Sequence, residues 1–161
     1  MSNGSDDAAR AAFPVFLKSC ALVVDRIDRH LQDGVGIQLT WYEVLAQLSS
    51  TPDGRMSMKQ LAESVMLSKS GITRLVDRME RAGLVQRHSC SQDGRVCFAA
   101  FTRRGLAVLQ VARPVAAEAI DLHFARHLQP EEAEILSRAL LRVLAEAGEA
   151  GPALADAAAG R

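Results

Sequence analysis

One short segment of the chain places hydroxyl and cationic side chains next to each other. Lys69, Ser70, Thr73 and Arg74 are spaced i, i+1, i+4 and i+5, so they share one side of a helix if the segment is helical. A guanidinium can hydrogen-bond a guanine edge at two points, and short hydroxyls can contact phosphates or bases. Arg78 continues the polar surface one turn further along. These residues could therefore bind double-stranded DNA, provided that a helix presents them.

The distribution of charge along the chain favours the same chemistry. The 161 residues include 19 Lys and Arg and 19 Asp and Glu, so the formal net charge is zero. From Arg55 to Arg104, however, ten Lys and Arg accompany four Asp and Glu, which gives this segment +6 and the remainder −6. A basic middle segment between acidic ends indicates one surface for a polyanion. An ordinary solvated mixture of charges is the alternative, and the charge count does not separate the two.

Signatures of catalysis and of metal binding are not found in the sequence. It contains no GxSxG, no glycine-rich phosphate loop and no HExxH, so we expect neither an enzyme nor a cofactor. His123 and His127 are spaced i, i+4 and could form a metal-binding helix face, with Glu118, Asp121 or His30 folding in as further ligands. A polar helix face is the preferred interpretation, and no metal is predicted.

The beginning of the chain and its cysteines indicate a cellular compartment. The first residues are small and polar, and no apolar run approaches the length of a membrane span. The three cysteines are an odd number without CxxC spacing, which argues against a structural disulfide framework. The sequence therefore predicts a cytoplasmic protein that does not contact a membrane.

Capping signals predict the helices that must present the DNA-binding segment. Ser57 and Gln60 have the spacing of a capping box, which begins a short helix. Ser68 can cap the next helix, and Gly83 suits the left-handed position that follows a helix. Two short helices joined by a few residues form a helix-turn-helix outline, with the second helix carrying the polar side chains.

A β-hairpin is predicted to follow this helix pair. Leu84–Ser91 and Val96–Phe101 have the composition of strands around Asp93-Gly94, which is a strong signal for a two-residue turn. Arg95 would then lie at the tip of a projecting ribbon, where an arginine can enter a narrow minor groove. A helix and a ribbon that each carry arginine, in this order, indicate a winged helix-turn-helix.

The predicted fold class is mainly α with a small β-hairpin wing. Thr40 with Glu43 is expected to cap the second helix, and Thr102 a long helix that runs to about Leu128. Broad apolar stripes on the first and last helices favour a two-fold partner that would bury them. The expected organisation is a disordered segment 1–12, a dimerisation helix 13–36, a winged helix-turn-helix lobe 37–104, a long helix and C-terminal dimerisation helix 105–147, and a flexible tail 148–161.

Several motifs of the sequence match one family in type and spacing. They are Leu39–Leu45, Ser57–Glu63, Leu67–Val85, the wing motif Asp93-x-Arg95, and Phe101-Thr102-x-x-Gly105. Together they resemble the MarR family of bacterial regulators over roughly Phe13 to Leu144. The resemblance implies a homodimer on a palindromic operator and repression that a small molecule or an oxidant relieves. It also implies DNA contacts by Ser68, Lys69, Ser70, Thr73 and Arg74 in the recognition helix and by Arg95 in the wing.

The signal that relieves repression is left open by the sequence. The default expectation is a small apolar or phenolic effector, bound near Phe16, Cys20, Trp41 and Tyr42, which could equally be core residues. The hydroperoxide-sensing branch of the family carries its reactive cysteine about one helical turn earlier, where this chain has Phe16. Cys20 is therefore expected to be a small core residue.

Two other cysteines provide a redox alternative. If Asp93-Gly94 is a two-residue turn, Cys90 and Cys97 face each other across the wing, and their oxidation would distort the wing and release DNA. The preferred interpretation is that the two thiols have no role, or that a longer loop breaks this register. A winged helix that binds protein instead of DNA is a further alternative.

Overall fold

A computed structural model of the chain describes residues 3–89 and 97–148. The elements in chain order are α1 (Asn3–Val35), α2 (Leu39–Ser49), β1 (Arg55–Ser57), α3 (Met58–Ser64), α4 (Lys69–Arg81), β2 (Val85–Ser89), β3 (Cys97–Phe101), α5 (Arg103–His123), a 3₁₀ turn (Ala125–His127) and α6 (Pro130–Glu146). The predicted fold class, mainly helical with a small β wing, is confirmed. None of the described helices combines the length and the hydrophobicity needed to cross a bilayer.

The chain forms two compact units, Met1–Ala119 and Ile120–Arg161. The first unit contains two clusters of buried apolar side chains. One fills the interior of the lobe formed by α2, α3, α4 and the strands, and the other joins α1, α2 and α5. The boundary between the units falls inside α5, because Leu109, Ala112, Ala116 and Ala119 of α5 are buried in the two clusters of the first unit.

The first helix is longer than predicted. α1 begins at Asn3, so the segment 1–12, expected to be disordered, is helical from Asn3 onward. The alanines at positions 8, 9, 11 and 12 have the highest helix propensity, and Asp7 lies near the positive end of the helix dipole. Pro14 lies inside α1 and not in its first turn, where it removes one backbone hydrogen bond.

The second helix has a different cap from the predicted one. α2 begins at Leu39, and its N-cap residue Gln38 makes no side-chain capping hydrogen bond, so the Thr40 and Glu43 capping box is wrong. Instead, the Leu39 amide donates to Oδ1 of Asp28 in α1 over 2.7 Å. This carboxylate satisfies an amide at the helix start and complements the helix dipole. It also ties α1 directly to the beginning of α2.

The wing is a sheet of three antiparallel strands, one more than predicted. The strand order is β1-β3-β2, with Met56 of β1 opposite Ala99 and Val85 of β2 opposite Phe101. β1 contains only three residues, too few to show a strand period in the sequence. Because β1 directly precedes α3, the sheet joins the wing to the helix-turn-helix.

A glycine allows α5 to approach the wing sheet closely. Thr102 caps α5 as predicted, since its Oγ1 accepts a hydrogen bond from the Gly105 amide over 3.0 Å. The same hydroxyl donates to the Gly83 carbonyl over 2.7 Å, and the Thr102 amide donates to the Leu84 carbonyl over 3.0 Å. A Cβ atom at position 105 would lie 2.0 Å from the Leu84 carbonyl oxygen, so the backbones are in direct contact here.

The long helix ends at His123, before the predicted end near Leu128. Phe124 has φ −138° and ψ −65°, and His127 lies in the 3₁₀ turn that follows. His123 and His127 therefore do not share one helix face. Within residues 3–89 and 97–148, no group of three or more His, Cys, Asp or Glu side chains is arranged to hold a metal ion. α6 begins at Pro130, and a proline suits the first turn of a helix because the amide it lacks would have no partner there.

Candidate nucleic-acid interface

The fourth helix holds the predicted DNA-binding residues on its exposed side. Ser68 is the N-cap of α4, and its Oγ accepts a hydrogen bond from the Gly71 amide over 3.1 Å. The opposite side of α4 is anchored in the lobe by four buried side chains, Ile72, Leu75, Val76 and Met79. Because these side chains fix the rotation of α4 about its axis, its polar residues must face solvent.

All six predicted contact residues of this region are exposed. They are Ser68, Lys69, Ser70, Thr73, Arg74 and Arg78. The hydroxyl of Ser68 lies 3.2 Å from that of Ser70, and the Thr73 hydroxyl donates to the Lys69 carbonyl over 2.8 Å. In the part of the chain that the structure describes, Lys69, Arg74 and Arg78 form no ion pair. Their positive charges are therefore not neutralised by a described carboxylate.

The helix-turn-helix connection holds a strained residue. Met66 has φ 53°, a left-handed conformation that is unfavourable for a residue with a Cβ, and its side chain is 77% exposed. The Leu67 amide donates to the Ala62 carbonyl over 2.9 Å and closes the turn. At the amino-terminal end of α3, Ser57 and Gln60 form the predicted capping box. These contacts set the direction in which α4 leaves the turn.

Two grooves run along α4. One has a volume of about 590 Å³ and is lined by three arginines of α4, namely Arg74, Arg78 and Arg81. The other has a volume of about 910 Å³, and Lys69 and Thr73 of α4 line it together with residues of α3 and of the wing. The residues expected to line an effector site, Phe16, Cys20, Trp41 and Tyr42, border neither of these two grooves.

An arginine of the wing binds the recognition helix at several points. Arg87 of β2 forms ion pairs with Asp77 and with Glu80 of α4, the second over 3.6 Å. Its Nη2 donates to the Thr73 carbonyl over 2.9 Å, and its backbone amide donates to Oε1 of Glu80 over 3.0 Å. Sequence reasoning counted Arg87 only as one charge in the basic segment. Two acids on α4, followed by an arginine within the next strand, were the available signal.

The tip of the wing lies outside the described residues, and so do Arg95 and Cys90. The described strands do not have the register that the redox alternative requires. Cys97 of β3 faces Ser89, so position 97 does not pair with position 90. A two-residue turn at 93 and 94 requires partner numbers that sum to 187, whereas the observed pairs sum to 186. The observed pairing agrees with the preferred interpretation, in which the register that would place Cys90 opposite Cys97 is broken.

The residues expected near an effector differ in burial. Phe16 and Cys20 are exposed on α1, so the prediction that Cys20 is a core residue is wrong for the single chain. The reason is that α1 packs on the rest of its unit through the later residues Ile27 and Leu31. Trp41 contacts both apolar clusters. Its Nε1 is buried and has no hydrogen-bond partner among the described residues.

Burial also affects Glu43, which follows Trp41 and Tyr42 in α2. Glu43 is half-buried in α2, and desolvation of its carboxylate raises the pKa of Glu43 above its ordinary value. The described part of the chain holds no hydrogen bond or ion pair of this carboxyl group that would offset the desolvation. The α2 segment thus contains a polar atom without a partner and an acid with a perturbed pKa.

Comparison with known proteins identifies the family to which the chain belongs. Residues 35–96 match the model of the MarR family. AbsC, a MarR family transcriptional regulator from Streptomyces coelicolor, is 32% identical, with a TM-score of 0.80 over 87% of this chain and 94% of that one. The chain belongs to the MarR family. Members of this family are transcriptional regulators and not enzymes, so this MarR-family chain is a winged-helix, DNA-binding transcriptional regulator.

Two further relatives extend the similarity. Sco3205, a MarR family regulator from Streptomyces coelicolor solved in complex with DNA, is 29% identical, with a TM-score of 0.79 over 86% of each chain. The HTH-type transcriptional regulator MhqR of Bacillus subtilis (strain 168) is 29% identical over 131 residues, which are 81% of this chain and 88% of that protein. The similarity thus includes the helices outside the winged lobe.

Proposed function

We propose that this MarR-family regulator is a homodimeric repressor that binds a palindromic operator and is released by a small molecule. The observation that carries the proposal is the exposed, unpaired group of cations on α4, next to hydroxyls at its amino end. The amino-terminal residues of a recognition helix are those that reach base edges in the major groove. In this proposal Ser68, Lys69, Ser70, Thr73, Arg74 and Arg78 contact the major groove and the adjacent phosphates, and Arg95 contacts the minor groove.

The apolar surface of the terminal helices supports the dimer. On α1, Phe13, Val15 and Leu17 are 62%, 65% and 57% exposed. On α6, in the second unit, Ile135 and Val143 are 59% and 66% exposed. Large apolar side chains that are exposed on a helix are available to a second copy of the chain, which would bury them. The segments 13–36 and 105–147 are accordingly proposed to dimerise, and light scattering should give twice the chain mass of 17.4 kDa.

Trp41 supports a binding site for a small molecule. A buried donor without an acceptor costs about 1–3 kcal/mol, so an oxygen acceptor placed beside Nε1 would bind favourably. A phenolic compound combines such an oxygen with a ring that suits the surrounding apolar side chains. Trp41 is the single tryptophan of the chain, so its fluorescence reports the site directly. A phenolic effector should change this fluorescence and release DNA, and Trp41→Phe should weaken its binding.

Selection of binding sites from random duplex DNA tests the proposed function. The selected sites should be palindromic, with half-sites about 34–36 Å apart, and binding should weaken steeply as salt rises. Arg74→Ala should weaken specific binding by about 1–3 kcal/mol and relax the base preference. Arg95→Ala should lower affinity with less change in the major-groove preference.

A matched control removes one cation outside the proposed interface. Arg10 of α1 is exposed, lies outside segment 13–36 and pairs with Asp7 of the same helix, so Arg10→Ala should bind the selected duplex like the unmodified protein. If Arg74→Ala and Arg95→Ala also bind like the unmodified protein, the assignment of the interface is wrong. If no duplex is bound even in dilute buffer, a protein-binding winged helix becomes the better description.

A further inference from the structure

We propose that Arg87 is a positioning residue that makes the recognition helix and the wing a single DNA-binding unit. The inference rests on the proposed function, because it concerns how the α4 surface binds an operator. Arg87 lies in β2, and the described hydrogen bonds and ion pairs of its side chain are all with α4. It acts through α4 and not by touching DNA.

The geometry of the contacts fixes the relative position of the two elements. The guanidinium of Arg87 binds the Asp77 carboxylate with Nη1 and the Thr73 carbonyl with Nη2, and the Arg87 amide binds Glu80. These three acceptors span two turns of α4, so both translation and rotation of β2 along α4 are restricted. The rigid fork of an arginine can hold two acceptors at once, whereas a lysine presents a single point charge. The side chain of Arg87 is only 25% exposed, which limits its access to a phosphate.

The electrostatic part of the proposal concerns Asp77. This carboxylate lines the same groove as Arg74 and Arg78, on the helix that would approach phosphates. Without a cation beside it, the Asp77 carboxylate would repel the phosphates of the DNA backbone. It would also attract Arg74 and Arg78 away from the DNA. Arg87 neutralises Asp77 from the wing side and leaves the α4 arginines unpaired. Arg87 therefore affects DNA affinity through the Asp77 carboxylate. Removing that carboxylate should accordingly rescue a variant that lacks Arg87.

The experiment uses the full chain and a duplex obtained from the selection described above. Arg87→Gln should weaken operator binding about tenfold or more, because an uncompensated charge is left at the interface. Asp77→Asn combined with Arg87→Gln should restore affinity to within about threefold of the unmodified protein. Arg87→Lys should bind with intermediate affinity, because the charge is kept and the fork is lost.

The salt dependence separates positioning from direct contact. If Arg87 acts through Asp77, the slope of log K against log salt should be the same for Arg87→Gln as for the unmodified protein. If Arg87 binds a phosphate, the slope should fall by about 0.9 per protomer and the double variant should not recover, which would overturn the proposal. Arg55→Gln removes one cation from β1 of the same sheet, where Arg55 pairs with Asp53, and should change affinity less than threefold.

Stability measurements exclude a purely structural effect. The thermal midpoint of each variant should be recorded, and a double variant that regains stability but not affinity would contradict the proposal. If Arg87→Gln does not fold, the comparison of Arg87→Lys with the double variant provides the same test. An equal loss of affinity in Arg55→Gln would assign the effect to net charge and overturn the positioning role. If the unmodified protein binds no selected duplex, both proposals fail, whereas binding without rescue refutes this one alone.

Discussion

Replacing Gly105 by alanine tests whether α5 depends on contact with the wing sheet. An ideal Cβ at this position would lie 2.0 Å from the Leu84 carbonyl oxygen, 3.0 Å from the Leu84 carbonyl carbon and 3.2 Å from Cδ2 of Leu45. Two of these atoms belong to the backbone and cannot rotate away. The amino end of α5 would therefore have to move by more than an ångström from β2.

The magnitude follows from three opposing terms. Alanine in place of glycine in a helix stabilises by about 1 kcal/mol. Overpacking costs about 1–3 kcal/mol, and the movement of α5 would break the hydrogen bonds from Thr102 to the Gly83 and Leu84 carbonyls, each worth about 1 kcal/mol. The net loss in the free energy of unfolding is about 2–4 kcal/mol, which lowers the melting temperature of a chain of this size by roughly 10 °C.

The assay is urea and thermal unfolding followed by circular dichroism at one protein concentration, since dimerisation makes stability concentration-dependent. Gly34→Ala is the matched control. Its Cβ would meet a methyl group of Val115 at 2.9 Å, and a side chain can shift where a backbone cannot. The free energy of unfolding of Gly34→Ala should therefore stay within about 1 kcal/mol of the unmodified value. If Gly105→Ala is as stable as the unmodified protein, the close contact between α5 and the Leu84 backbone is refuted.

Substitutions at two further positions test unfavourable features of the winged lobe. Because burial raises the pKa of Glu43, its ionisation opposes folding, so stability should rise as pH falls through the raised pKa toward about 4.3. Glu43→Gln should remove this dependence and stabilise at neutral pH. Unfolding from about pH 4 to 8 checks it, and a pH-independent difference between the two proteins would contradict it. Met66→Gly should gain about 0.5–1 kcal/mol by relieving φ 53°, whereas Met66→Ala keeps the Cβ and should not gain. Equal urea midpoints for these two variants would argue against strain at Met66.

Features that depend on residues three or four positions apart could be predicted. The caps at Ser57, Ser68 and Thr102 join a hydroxyl to an amide three residues later. The exposed face of α4 follows from its helical period, because apolar and polar residues alternate with that period. The similarity to the MarR family also predicted the order of the helices and strands around these caps and around α4.

Features that depend on distant partners could not be predicted. β1 exists as a strand because it pairs with β3, about forty residues later in the chain. The cap of α2 comes from Asp28, and the contacts of Arg87 come from α4. The register of the wing depends on the whole connection between β2 and β3, so a turn signal at positions 93 and 94 was not sufficient to place Cys97.

By itself, the order of residues determined which helices form, the caps of α3, α4 and α5, and which face of α4 is polar. These properties arise within one or two helical turns, where the chain has few alternatives. Tertiary packing decided the third strand, the strand register, the exposed position of Cys20 and the connection of Arg87 to the recognition helix. Each of these results from a contact between segments far apart in the chain, whose free energy depends on the positions of both partners.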